Sequence, residues 1–293
     1  RETYTMRNIL WHLLLASALL LSGFTPASAQ APAIMPSATA PNHADAKTWQ
    51  ITPSAQYSNL TWQGRQLGLF EGGVQVGGET HPSLGAYLRS STGHGRSSLN
   101  TYDAHGVRFT GTLPLFTERS GRPAATLFVD YLHDRAVLKE QSPTSHSTAW
   151  SRASSTGIGL QAELHRGSTC WQGKAAGYAS GVDGEHLADT LLVGGAVDVP
   201  LIRSIRGTLA LTGFREDFEG HRITMEVTGG VTLLSSERGS LKLGGSYFPR
   251  GIPLGGTPFS TAAGIGVING SSTAAQLRTE AMGYLTVAGE LHF

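Results

Sequence analysis

Cysteine is almost missing from this chain: Cys170 is the single one in 293 residues, which excludes an internal disulfide. An unpaired thiol of this kind is read as a small buried or lipid-facing apolar residue, and no neighbouring base pattern gives it a catalytic role. Long apolar runs are scarce too. Beyond Leu21 nothing approaches the ~18 consecutive apolar residues of a membrane-spanning helix, so a helical membrane protein is excluded. Neither sign of charge dominates: 22 Lys and Arg face 21 Asp and Glu, and the balance persists when Arg1, Arg7 and Glu2 are set aside with the N-terminal segment. A neutral chain carries no electrostatic footprint for nucleic acid, so no nucleic-acid partner is expected. What the sequence has in quantity is glycine, 38 residues, beside a hydrophobic fraction of 40%, which keeps an extended all-β chain open.

The N-terminal region reads as an export signal. Arg7 supplies a positive start, Ile9 to Leu21 is an almost unbroken apolar run, and Ala27-Ser28-Ala29 has the small-x-small pattern that precedes cleavage. Residues 1–29 are therefore expected to be a signal peptide, with the five residues before Met6 as upstream sequence. The run is too short to span a bilayer, and no cysteine near the cleavage site invites lipoprotein processing. Residues 30–46, with Pro32, Pro36 and Pro41, lack the pattern of a packed core and are expected to be a flexible periplasmic leader. The remaining domain, 47–293, is where the structure should lie.

There the sequence alternates with a period of two. In Arg222 to Leu234, Ile223, Met225, Val227 and Val231 oppose Arg222, Thr224, Glu226 and Thr228. The same partition runs to the carboxyl terminus, with Leu285, Val287, Leu291 and Phe293 on one face and Tyr284, Thr286, Glu290 and His292 on the other. Such alternation means strands with one apolar and one polar face. It fits a soluble sandwich or a membrane barrel equally well, and the export signal and the terminal Phe293 carry the choice. The last strand resembles the closing strand of Gram-negative outer-membrane β-barrels. That resemblance implies an assembly signal in Tyr284, Leu291 and Phe293, barrel-assembly machinery as a partner, and a surround of outer-membrane lipid and lipopolysaccharide.

The expectation is thus an all-β fold, a single transmembrane antiparallel β-barrel. Strands are expected near 47–59, 64–78, 83–91, 99–117, 124–138, 149–165, 170–180, 188–200, 207–216, 221–234, 240–249 and 276–293, about twelve. If 261–268 were a strand pairing with 248–254 there would be fourteen. Short turns at Ser120-Gly121-Arg122, Arg166-Gly167-Ser168 and 236–239 would share the periplasmic side, with the longest connection, 250–275, on the outer side.

Candidate chemistry is sparse. His81-Pro82-Ser83 resembles the His-x-Ser element of outer-membrane phospholipases and lipid A deacylases, in which histidine acts as the general base for serine. This chain departs from the pattern in having Leu84 where asparagine usually follows. A turn proline with flanking polar residues is the stronger reading of the triplet. His94, His146, His186 and His221 fall in expected outer loops, where convergence would give a metal or pH-sensing site; no two are at ligand spacing. The expected lumen lining is Arg89, Arg108, Asp130, Glu163, Asp198, Arg222, Glu226, Lys242, Arg278, Glu280 and Glu290. Mixed charge of this kind either lines a selective water path or interlocks into an ion-paired plug. The functions in view are a narrow channel or export conduit for small solutes or polysaccharide, an outer-leaflet lipid hydrolase, and a structural or adhesive surface barrel. No cofactor is implied and the oligomeric state is left open.

Overall fold

The computed structural model describes residues 49–62, 65–78, 81–94, 101–119, 121–142, 145–202, 205–217, 221–236, 239–268 and 277–291. The expected signal peptide, the leader and Phe293 lie outside these described residues. Twelve strands close into one barrel, each antiparallel to its chain neighbours. They are β1 (Gln50–Trp62), β2 (Arg65–Gly78), β3 (His81–His94), β4 (Thr101–Phe116), β5 (Ala124–Ser142), β6 (Ser145–Arg166), β7 (Thr169–Val182), β8 (Glu185–Ile202), β9 (Ile205–Asp217), β10 (His221–Ser236), β11 (Gly239–Phe248) and β12 (Met282–Leu291). Closure is made by β12 on β1, in a register that sets Val287 opposite Tyr57 and Glu290 opposite Ser54.

Alternation decides which way each residue points. On β10, Ile223 is 66% exposed and Val227 40%, while Thr224 and Glu226 between them are 2% and 0% exposed. Outward-facing Leu84, Leu88, Phe109, Leu209 and Leu285 carry the same apolar surface around the barrel. An exposed apolar surface on strands whose alternate side chains point inward is the pattern of a barrel that crosses a bilayer with its strands. Among the described residues no helix is long and apolar enough to do so.

Strand direction alternates, so five connections share one end, here called the turn end. They are those between β2 and β3, β4 and β5, β6 and β7, β8 and β9, and β10 and β11, and the three short turns expected together are among them. The opposite end carries the long β11–β12 connection. It does not stay outside. Gly251 to Ile265 is buried throughout, folded back into the barrel, and a helix within it, α1 (Ser260–Ile268), packs against β5, β6 and β7. We call this end the plug end.

Two expectations are corrected here. Residues 261–268 form a helix and not a strand, so the barrel has twelve strands and not fourteen. A closed barrel offers no free edge to pair with, and a backbone entering its interior must satisfy its own amide groups, which a helix does. The helix start is prepared locally: the Thr257 amide donates to Ser260 Oγ at 3.1 Å, the Ser260 hydroxyl donates to the Pro253 carbonyl at 3.0 Å, and the Ala263 amide donates to the Phe259 carbonyl at 3.0 Å. The last strand begins at Met282, so Arg278 and Glu280 belong to the inserted segment and not to β12.

The core is the barrel interior at the plug end. Leu60, Leu69, Phe128, Tyr178, Leu192, Phe214 and Phe248 from the wall meet Ile252, Leu254, Phe259 and Ala263 from the segment. Beneath Ile265 the wall narrows its side chains to Ala104, Ala136 and Ala153, which leaves room for α1. Gly251 sits where the chain turns inward, with φ +77; a Cβ there would lie 2.2 Å from the Arg278 carbonyl carbon. Both the positive φ and the close backbone reserve this position for glycine.

Candidate functional site

The interior polar groups gather where the wall meets the inserted segment. Arg89 on β3 and Arg108 on β4 share Glu71 of β2: Arg89 Nη1 to Glu71 Oε2 is 2.7 Å and Arg108 Nη1 to Glu71 Oε1 is 3.1 Å. Arg108 also grips Asp130 in a bidentate pair, Nε to Oδ1 at 2.8 Å and Nη2 to Oδ2 at 3.2 Å. Arg89 reaches across β4 to Asp134 on β5, Nε to Oδ1 at 3.2 Å. Gly106 stands between them on β4, and a Cβ there would fall 2.0 Å from Asp134 Oδ1, so the pair exists because this position has no side chain. Tyr178 extends the cluster, its phenol donating to Asp130 Oδ2 at 3.5 Å.

This wall cluster holds the segment directly. Arg89 Nη2 donates to the Pro258 carbonyl at 2.7 Å, and the Thr261 hydroxyl donates to Asp134 Oδ2. A second anchor is Glu216 on β9. It accepts from the Leu254 amide and from Arg278 at 3.3 Å, and pairs with Arg222 at 3.3 Å. Arg222 in turn donates to the carbonyls of Arg250 and Arg278. Thr224 donates to the Gly251 carbonyl at 3.2 Å and Ser180 to the Leu254 carbonyl at 2.6 Å. Polar side chains of the wall thus satisfy the backbone of the inserted chain, as a buried loop requires.

Toward the turn end the interior has no plug and is lined by polar side chains. Lys242 bridges to Glu290 at 3.0 Å and the Ser240 hydroxyl donates to the same carboxylate at 2.6 Å, while nearer the plug, where its ring meets Phe259 at 5.3 Å, the Tyr284 phenol donates to Glu226 Oε1 at 2.9 Å. Lys174 lies 4.6 Å over the Phe128 ring. Both amide atoms of Gln56, Thr212 Oγ1, Glu226 Oε2 and Glu290 Oε2 are buried without a protein partner.

The residues singled out from sequence fall as follows. Arg89, Arg108, Asp130, Arg222 and Arg278 come together around the inserted segment, whereas Lys242 and Glu290 line the turn-end half and Glu226 lies between the two, against Tyr284. Glu163 and Asp198 sit at the turn-end rim, and Glu280 is half-buried just before β12. Tyr284 points into the lumen and Leu291 outward. Ser83 is buried, its hydroxyl 2.7 Å from Thr112 Oγ1 and accepting from Gln75 Nε2 at 2.9 Å, while the His81 ring lies against Trp49 with centroids 5.5 Å apart. His186 and His221 are exposed at the plug end on β8 and β10, and His94 and His146 begin or end strands there with side chains outside the described residues. Among the described residues, the three-residue group able to hold a metal is not at this end; it is Glu163, His165 and Cys170 at the turn end.

Sequence reasoning passed over Glu71, Glu216 and Lys174. Strand β2 shows why. Leu67 and Leu69 face inward to the plug while Phe70, Val74 and Val76 face outward, so both faces read as apolar and Glu71 has no clear side.

No protein-family profile and no curated protein matches the chain. Solved structures do. The translocator domain of the autotransporter NalP from Neisseria meningitidis superposes with a TM-score of 0.54 at 9% identity, over 84% of this chain and 88% of that one. The β domain of the Bordetella autotransporter BrkA gives 0.53 at 8% identity, over 85% of this chain and all (100%) of that one. At such identities the likeness is one of fold. Closed topology, strand number and an apolar outer surface agree with it, and the chain has the fold of the bacterial outer-membrane β-barrels.

Proposed function

We propose that this protein is a gated conduit of the bacterial outer membrane whose resting state is closed by its own β11–β12 segment. The observation that carries this reading is how the segment is held. Its backbone is met by polar wall residues, Arg89, Ser180, Glu216 and Thr224, and not by an unbroken apolar seal. Ion pairs buried beside an apolar core are no more stabilising than apolar packing of the same volume. A wall bearing Arg89 and Arg108 against Glu71, Asp130 and Asp134 is suited to water once the segment leaves, and the polar side chains beneath, Lys242 and Glu290 among them, continue the path. The autotransporter translocator domains that share the fold support conduction as its use. Small solutes, or an extended polymer such as a polysaccharide, are the cargo class a narrow mixed-charge lumen admits.

A tether tests this. A Cβ at Gly255 would lie 3.0 Å from Thr190 Cβ and 2.8 Å from Tyr178 Cβ, so a bridge between positions 255 and 190 needs the segment to move outward by about 0.5–1 Å to reach the roughly 3.5–4.5 Å of a disulfide. In a Cys170→Ser background, Gly255→Cys with Thr190→Cys should lock the segment to β8. In planar bilayers the untethered protein should show openings that vanish on oxidation and return on reduction. Wild-type protein that never conducts and releases no solute from liposomes would overturn the reading.

A further inference from the structure

The turn-end rim carries a cluster that neither the plug nor the conduit uses. His165 and Cys170 are directly opposed across β6 and β7, with Glu163 two residues before His165 on the same inner face. The ligand atoms of the three lie within 4.8 Å of one another. Glu163 Oε1 is 3.2 Å from Cys170 Sγ and 3.4 Å from His165 Nε2. Tetrahedral coordination with metal–ligand bonds of about 2.0–2.3 Å sets neighbouring donors roughly 3.3–3.7 Å apart, so two edges of such a polyhedron are nearly in place.

The other imidazole nitrogen is committed. His165 Nδ1 is 2.8 Å from Glu118 Oε2, and the His165 amide donates to Glu118 Oε1 at 3.0 Å. A carboxylate on Nδ1 fixes the proton there and turns the Nε2 lone pair toward Glu163, the arrangement in which metal-binding histidines are held. Cys170 Sγ and His165 Nε2 thus front the same Glu163 oxygen, the meeting point at which a cation would sit. Asp198, opposite Cys170 on β8, is not part of the set, since Arg206 and Thr208 occupy its two oxygens. Glu118 and Glu163 leave the remaining group with negative charge. Side-chain exposures of 27% for His165 and 18% for Glu163 keep it open to solvent.

We infer that Glu163, His165 Nε2 and Cys170 Sγ form a binding site for a thiophilic divalent cation of the Zn²⁺ type, with Glu118 as the positioning carboxylate and a fourth position open to water or an exogenous ligand. A thiolate and an imidazole together select this class over Mg²⁺ or Ca²⁺. Loading displaces the Cys170 thiol proton to solvent, one proton per ion bound. The site does not rest on the conduit reading.

Full-chain protein folded in detergent would be titrated with Zn²⁺ and, as a spectroscopic probe, with Co²⁺. One equivalent should bind, with a thiolate-to-Co²⁺ charge-transfer band and the visible spectrum of a four-coordinate ion. Cys170→Ser should abolish that band. Cys170→Ser and His165→Gln should each weaken Zn²⁺ by more than about 100-fold, and Glu118→Gln by about 10–100-fold. Heat-modifiable migration would check that each variant is folded. If wild-type protein gives no thiolate charge-transfer band, or if Zn²⁺ binding survives both ligand substitutions, the site is overturned.

Discussion

Glu71 is the residue on which the interior depends most, because one carboxylate neutralises two buried guanidinium groups, Arg89 and Arg108. Removing one partner of a buried ion pair leaves charge without compensation and costs about 3–5 kcal/mol. Glu71→Ala should therefore lower unfolding stability by that amount in a urea titration of lipid-reconstituted protein, whereas the same change at exposed Glu185 should be nearly silent. Outward positions obey a different solvent. Val227 is exposed on the apolar face, so Val227→Arg should destabilise by roughly 2–4 kcal/mol if it lies near the bilayer midplane, and Val227→Leu should be neutral. If Val227→Arg proves as silent as Val227→Leu, this face lies in water. Inward Thr224 offers no room for comparison, since its hydroxyl is already spent on the Gly251 carbonyl.

At the scale of elements, strands were legible and the inserted segment was not. Alternation in β10 and β12 marks both their extent and their two faces, because one side meets an apolar surround and the other a polar interior. The signal fails where the interior turns apolar: Leu67 and Leu69 on β2 face the plug, and Glu71 was lost between them. The 261–268 stretch, Thr-Ala-Ala-Gly-Ile-Gly-Val-Ile, is apolar on every side, and such a run does not announce whether it is strand or helix. Its small residues make sense only beside the alanines of β4, β5 and β6 that receive it. The turn-end metal group was missed for a related reason, as register across the β6–β7 turn joins residues that no linear spacing rule links. Helix α1 lies outside the closed strand ladder, so it can be broken alone. Ala263→Pro removes the amide that donates to Phe259 and costs about 3 kcal/mol in the helix. The barrel should keep its heat-modifiable migration, while the segment becomes cleavable by added protease and channel openings lengthen. Loss of the folded gel form in this variant would mean that the segment is part of the barrel's own stability.

At the scale of the molecule, a ring of strands supplies the container and a single connection supplies its closure. The backbone ladder of the wall closes from strand to strand without residues 252–268. The most direct test replaces those residues by a short Gly-Ser linker and measures single-channel conductance of wild-type and variant protein side by side in planar bilayers. The account predicts a folded variant with steady, uninterrupted conductance against a mostly closed wild type, and a liposome-release rate that rises with it. A folded, heat-modifiable variant that carries no current and releases no solute would contradict it.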